Sequence, residues 1–480
     1  MWFSHLRRNR EIIVLSVTGL LFILTTFVRL ILPLDGPFHK VFIDQSTTPQ
    51  YTVIPNPSIA LEVPPEYGSE LYNSPFCNDR YGRQYLERIR DSMTGYCTTR
   101  SSENLTCFHS QNFSGGKDSF CIGPSAVFNT SNQKFKLGCE LRELGEGERS
   151  SGIPGIKDLR SYWYGTGPRV IFDKFIEIDS NIVTQPTKNF TILIKREGES
   201  NPWHCLMEIW STMMTMDILR MAINPATNAP FFGLEDTKNT QVVILDSRDD
   251  GPFFELWKFF AKRPPLRMDQ LPADTTLENI IVPLPGASNP IWQGDWEVHS
   301  CSHSALLRTF SHRVLDLYQL DSNTPHSGDL VLTFIDRRSR RLINQEAYLE
   351  SLQMRYPQVK VQAVDFEGMP LSEQLKVIRS TDILVGVHGA GLTHGIFLQE
   401  GSAMVEILPH DLNYKGFHNI AGLQGHLYLS VHADKPPEDG TPRQDWHWID
   451  VLLEESRFFD LMEVAVKALY NKGFRSLDVS

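Results

Sequence analysis

The sequence predicts an α/β protein built as two Rossmann-type lobes facing a cleft, with an N-terminal membrane-spanning helix ahead of them. Three observations carry this expectation. Short, nearly continuous apolar runs such as "FTILIK", "TQVVILD", "DLVLTFID", "TDILVGV" and "SAMVEILP" alternate with helix-period segments, the pattern of parallel sheets buried on both faces. A glycine-rich loop, "HGAGLTHG", follows one such run directly, where strands of this class hand over to helices and bind ligands. Residues 12–34 form an apolar run of roughly 23 residues, about 34 Å as a helix against a hydrocarbon core of about 30 Å.

Arg7, Arg8 and Arg10 precede that run, and Arg29 near its end can snorkel to the interface, so the N-terminus is expected in the cytosol and the rest in a lumen. A cleaved signal peptide is the alternative, and no small-residue A-x-A site follows the run. Residues 1–11 are then a cytosolic tail and 12–34 the anchor. Residues 35–69, proline-rich and without apolar periodicity, make an extended stem. Residues 70–325 are expected to hold a cysteine-containing region, in loops to about residue 144, and the first, acceptor lobe. Residues 326–480 supply the second, donor-binding lobe and a C-terminal helix, with helices expected at about 203–221, 344–355, 372–380 and after Gly391. The run "RVIFDKFIEI" is expected as a strand of the first lobe.

Two further features agree with a lumenal chain. Asn104, Asn112, Asn129 and Asn189 each begin an N-x-S/T glycosylation acceptor. Cys77, Cys97, Cys107, Cys121 and Cys139 fall close together, as an oxidising compartment would use them for disulfides, and the total of seven leaves at least one cysteine free or paired outside the chain. No C-x2-C spacing occurs, and His299 and His303 around Cys301 are a weak metal signal. A net charge of -11 and a pI near 5.8 argue against nucleic acid as a partner, so an anionic ligand must be held locally.

The glycine loop offers such a place. Its glycines let the backbone approach a ligand, the following helix start presents free N–H groups, and Thr393 and His388 add side-chain donors, with His394 one turn in. A tight turn needing glycine only for geometry is the plainer reading. An oxyanion hole of a serine hydrolase is the chemical rival, but it requires a G-x-S-x-G elbow that the chain lacks. Asp336-Arg-Arg-Ser-Arg-Arg341 follows "DLVLTFI", so Arg337 and Arg341 also sit at a strand's carboxyl end and could clamp a diphosphate against residues 389–393. Glu406, in the apolar run "AMVEIL", needs a buried partner: a sugar hydroxyl or an arginine. In the first lobe, His204 and Glu208 share a helical face, so that the carboxylate could fix a histidine base, or the two form an exposed pair. Asp246, at the end of "QVVILD", is the other candidate base. No D-x-D triplet occurs, so no metal cofactor is expected and arginines plus the helix start would stabilise a leaving diphosphate.

The blocks "DRRSRRLINQEAYLESL", "EQLKVIRSTD" and "DILVGVHGAGLTHGIFLQEGSAMVEILP", preceded by "NPWHCLMEIWS", "VVILDSRDDGPFFELWKFF" and "PLPGASNPIWQGDW", resemble glycosyltransferase family 61 in order and spacing. The resemblance implies a GT-B-like fold and inverting transfer of xylose or N-acetylglucosamine from a UDP-sugar donor to a glycan or glycoprotein acceptor. With the anchor at 12–34 and the arginines before it, the expected location is the Golgi or endoplasmic reticulum membrane, single-pass type II with the catalytic domain lumenal. By position the resemblance puts His388, Gly389, Ala390, Gly391, Thr393 and Glu406 near the donor, and Arg337, Arg341 and Asn344 on the diphosphate side. His204, Glu208 and Asp246 stay as catalytic candidates on the residues' own account. In the family's N-acetylglucosamine transferases further cysteines follow the motif, whereas "HDLNYKGFHNIAGLQGH" has none. The competing class is a lumenal carbohydrate-binding or scaffold protein with a degenerate donor site, against which the intact loop and both arginines argue.

Overall fold

A computed structural model describes residues 61–68, 74–99, 101, 104–112, 115–182, 187–320, 329–435 and 447–472, all within one compact unit spanning Asn56–Ser480. The expected anchor at 12–34 and most of the stem lie outside the described residues. Among the described residues no helix is long and apolar enough to cross a membrane.

Two sheets organise the chain. In the first, β1 (Phe190–Ile194), β2 (Thr240–Ile244) and β3 (Ile280–Val282) run parallel, with β1 in the middle. Every residue of β1 and β3 is buried, as their apolar runs require. This sheet has seven strands and is mixed: beyond β3 it continues antiparallel through Lys117–Ile122 and Thr106–Gln111. The segment before residue 144, expected as loops, therefore supplies strands, including Ala126–Asn129 and Lys134–Gly138 of a separate four-stranded sheet. Strand Thr106–Gln111 is buried at five successive positions, "TCFHS", so its polar residues hide the strand from a hydrophobicity count. The run expected as the strand "RVIFDKFIEI" divides: Pro168–Lys174 is helical and only Ile176–Asp179 is extended. Pro168 at the first helical position, after a left-handed Gly167, starts the helix there.

The second sheet is wholly parallel: β4 (Val331–Ile335), β5 (Lys360–Val364), β6 (Ile383–Val387), β7 (Ala403–Leu408) and β8 (Leu427–His432), side by side as β5-β4-β6-β7-β8. The order reverses between β4 and β6, so the two strands that carry the arginine turn and the glycine loop flank the topological switch point, where open sheets of this kind bind ligands.

One apolar layer lies between the sheets. Helices α1 (Pro202–Met221) and α2 (Ala305–Leu317) share a continuous core with Ile335, Leu375, Leu392 and Phe397 of the second half. That explains why α1 is buried nearly all round instead of on one stripe. Asn201 caps α1 through the Trp203 and His204 amides, and Pro202 occupies its first position. Helices α3 (Gln345–Arg355), α4 (Leu371–Arg379), α5 (Gly416–Gln424) and α6 (Glu455–Lys472) complete the second half. Asp217, buried in α1, accepts from Tyr67 Oη at 2.6 Å and from Arg313 Nη1 at 2.6 Å, which ties residues 61–68 to α1 and α2.

Six cysteines pair as Cys77–Cys301, Cys97–Cys139 and Cys107–Cys121, while Cys205 in α1 is a buried free thiol. With Cys301 in a disulfide, the expected weak metal cluster around it has lost its thiolate, and His299 hydrogen-bonds Tyr81. The Cys77–Cys301 bridge closes a sequence separation of 224 and fastens the helix Pro75–Tyr81 to the segment before α2. Replacing Cys77 and Cys301 together by Ser is expected to cost about 2–4 kcal/mol, read as a lower Tm under non-reducing conditions. An unchanged Tm would show the bridge to be idle.

Candidate active site

At the second sheet's switch point, close backbone approach brings the two loops together. A Cβ on Gly391 would stand 3.0 Å from Ile335 Cγ2, and one on Gly389 would stand 1.7 Å from Arg337 Nη1. The Arg337 guanidinium therefore lies on the bare face of Gly389 and donates to the His388 carbonyl at 3.3 Å. Arg340, which adopts a left-handed φ of 57°, donates to the same carbonyl at 2.8 Å. Arg337 makes no ion pair among the described residues, and burial pulls its pKa below the usual arginine value with only Glu367 opposing. A desolvated cation beside an open glycine backbone is what an anion would complete.

Arg341 sits differently from the expected clamp. Its Nη2 lies 3.5 Å from both the Asp336 and Glu346 carboxylates and its amide donates to Asp450, so it turns away onto acids of its own surface. Asn344 stands exposed at the start of α3, in a left-handed conformation with φ 65°. The helix expected after Gly391 is the tighter 3-10 form, Ala390–Phe397, with Ala390 partly exposed at its first position. Thr393 is fully buried, and its hydroxyl has no hydrogen-bond partner among the described residues. His394 is committed inward: its ring nitrogens meet Gly391 O at 2.7 Å and Gln374 Oε1 at 2.6 Å, and it stacks on Phe366. Among the described residues Glu406 pairs with a histidine and a tyrosine instead of the expected arginine. His388 Nδ1 lies 2.6 Å from its Oε1, and Tyr428 donates to its Oε2 at 2.5 Å. Burial lowers the His388 pKa and Glu406 opposes, which leaves a neutral ring with its proton toward the carboxylate and its lone pair on Nε2.

The first sheet has its own switch point, because β1 precedes β2 on one side and β3 on the other. Glu197, just past β1, bridges it: Oε1 accepts from Ala287 N at 3.0 Å and Thr166 Oγ1 at 2.9 Å, while Oε2 lies against the Gly286 backbone, where a Cβ would come within 3.0 Å of it. Burial pushes the Glu197 pKa up to about 7. Glu208 accepts from the Glu197 amide at 3.4 Å, and burial and the neighbouring Glu197 push its pKa upward. The expected pairing of Glu208 with His204 does not form. The His204 ring instead packs edge-on against Tyr164 at 4.3 Å and Trp292 at 4.8 Å, and burial lowers its pKa to about 4. Asp246 is spent on Arg196, buried like itself, with Nη2 at 2.8 Å and the Arg196 amide also donating at 2.8 Å.

These two switch points open on one aromatic wall. Ring contacts run from His388 to Tyr414 at 5.1 Å, Tyr414 to Trp203 at 5.9 Å, Trp203 to Trp292 at 6.0 Å, and on to His204. Asp295 sits on this seam: its backbone carbonyl accepts from Lys415 N at 2.7 Å and its carboxylate from the Tyr414 hydroxyl. Burial pushes its pKa up to about 7 against that hydrogen bond. Trp296, 59% exposed, meets Tyr414 edge-on at 5.5 Å, so an indole face flanks the wall. Arg340, Glu197, Asp295 and Tyr414 are the residues sequence reasoning passes over. Asp295 stands within the quoted block "PLPGASNPIWQGDW", and an acid beside a tryptophan in a loop was its one available signal.

The glycosylation asparagines differ in access. Asn104 is exposed, Asn129 and Asn189 are half-buried, and Asn112 is buried with Oδ1 accepting the Gly116 amide at 2.8 Å.

Residues 203–405 match the family model described as Glycosyltransferase 61. An EGF domain-specific O-linked N-acetylglucosamine transferase of Drosophila melanogaster is 26% identical over 381 residues, which cover 74% of this chain and 69% of that protein. A protein of the same description from Canis lupus familiaris is 26% identical over 60% of this chain and 52% of its own length. Among solved structures, a glycosyl transferase family 9 chain from Veillonella parvula aligns over 59% of this chain and 98% of that one at 11% identity and a TM-score of 0.23, too low for a common fold to follow.

Proposed function

We propose that this chain, a glycosyltransferase whose residues 203–405 match the Glycosyltransferase 61 model, transfers N-acetylglucosamine or xylose with inversion from a UDP-sugar to a glycan or glycoprotein acceptor. The observation that carries the donor assignment is Arg337, a half-buried cation with no ion pair among the described residues, lying on the Gly389 backbone at the second sheet's switch point. In this reading the diphosphate rests between Arg337, Arg340 and the 389–393 backbone, Thr393 offers its unpaired hydroxyl, and His388, oriented by Glu406, contacts the sugar. Arg341 and Asn344 border the site rather than clamp it. The acceptor enters from the first sheet's side, along His204, Trp292 and Trp296. His204 then shapes this wall as a neutral ring, with Glu208 buried behind it.

The GT-B-like arrangement belongs to the same proposal, with residues 70–325 as the acceptor half and 326–480 as the donor half. Three disulfides support a lumenal location, and the apolar run at 12–34 supports a type II anchor in the Golgi or endoplasmic reticulum membrane. The relatives' descriptions favour N-acetylglucosamine as the sugar and an EGF-domain hydroxyl as the acceptor. Incubating the full chain with UDP-N-acetylglucosamine or UDP-xylose and a folded EGF domain or an N-glycan glycopeptide should release UDP and add one sugar mass to an acceptor. Saturable sugar binding without UDP release would favour the carbohydrate-binding alternative.

A further inference from the structure

We propose that Asp295 is the general base of the transfer, taking the proton from the acceptor hydroxyl while Tyr414, from the segment between β7 and α5, holds its carboxylate. This rests on the sugar-nucleotide reading above and adds the missing half of its chemistry. In-line displacement needs a base on the face of the sugar opposite the leaving diphosphate. Asp295 stands on the first sheet's side of the seam, and the Tyr414 ring that reaches it lies 5.1 Å from the ring of His388, which begins the glycine loop. The Tyr414 side chain thus links the buried Asp295 carboxylate to the ring that begins the glycine loop.

The other acids on the wall are committed. Asp246 is held by Arg196, Glu208 is a buried acid against the Glu197 amide, and Glu197 is anchored by Thr166 and Ala287. Asp295 is held by a neutral hydroxyl, which orients the carboxylate and lowers its basicity less than the burial raises it. Trp296, next in sequence and mostly exposed, offers a flat apolar face on which an acceptor ring or side chain can lie. The step balances as follows. The acceptor oxygen forms the new bond to the anomeric carbon, its proton goes to the Asp295 carboxylate, and the bond to the diphosphate oxygen breaks with the electron pair leaving on UDP. Protonated Asp295 then loses its proton to water.

The titratable groups that sense the Asp295 charge are Tyr414, Tyr164 and Tyr81, all neutral near pH 7, and Glu197 titrates nearby through Tyr164. A base must be ionised, so kcat/KM should rise with pH and level off above an apparent pKa near 7. The test uses the full chain with UDP-N-acetylglucosamine and UDP-xylose as donors and the folded EGF domain and glycopeptide as acceptors. Asp295→Asn should lower kcat by about 10²–10⁴-fold and abolish the rising limb, with UDP affinity within about twofold of wild type. Tyr414→Phe removes a hydrogen bond that favours the ionised form, so it should move the limb to higher pH. Equal transfer by wild type and Asp295→Asn, or a limb that survives in Asp295→Asn and so belongs to Glu197, overturns the base assignment and leaves the donor reading standing. A wild-type chain that releases no UDP overturns the donor reading, and the base falls with it.

Discussion

Gly389→Ala is expected to lower kcat/KM for the donor by about 10²–10³-fold while the fold survives, the scale seen when one preorganised donor to a developing charge is lost. The added Cβ would stand 1.7 Å from Arg337 Nη1, so something must move. The far end of an arginine moves at less cost than a strand end, and the guanidinium is expected to swing off the loop. The loss should then match that of Arg337→Ala, and the double variant should be little worse than either single one, because both remove the same contact. Steady-state kinetics with a melting curve for each variant checks this. Full activity in Gly389→Ala would separate Arg337 from the chemistry, and a collapse in Tm would make the glycine purely architectural.

Asp246→Ala should act on stability instead, by about 3–5 kcal/mol, because it leaves Arg196 buried without its counter-charge. Both side chains are nearly closed to solvent, at 3% and 8% exposure, so water cannot take the carboxylate's place cheaply. Urea unfolding combined with specific activity of the folded fraction distinguishes the two roles. A normal unfolding midpoint with activity abolished would return Asp246 to the reaction as its base.

The parallel strands and the place of the glycine loop were legible because each signal is local. "FTILI", "VLTFI" and "ILVGV" are apolar at nearly every position, and only a strand buried on both faces needs that. The glycine loop and arginine turn follow two such strands directly, and the strand order puts both at one switch point. What depends on distant chain was hidden. In the arginine turn the left-handed backbone at Arg340 decides which guanidinium turns inward, and spacing alone pointed to Arg341. His204 and Glu208 stand one helical turn apart, yet the Glu197 backbone, from before the helix, claims the Glu208 carboxylate. Asp295 and Tyr414 meet only because the two sheets share a middle layer. No period or motif within either segment announces that contact. The antiparallel strand Thr106–Gln111 escaped for a related reason, since its polar residues are buried by neighbours that the sequence order does not reveal.

The central claim is that a nucleoside diphosphate binds where Arg337 covers Gly389. Titrating UDP calorimetrically into the full chain and its Arg337→Ala variant tests it most directly. Saturable binding by the wild type, weakened at least about 100-fold in Arg337→Ala at an unchanged Tm, is the predicted result, and equal affinity in the two proteins would contradict it.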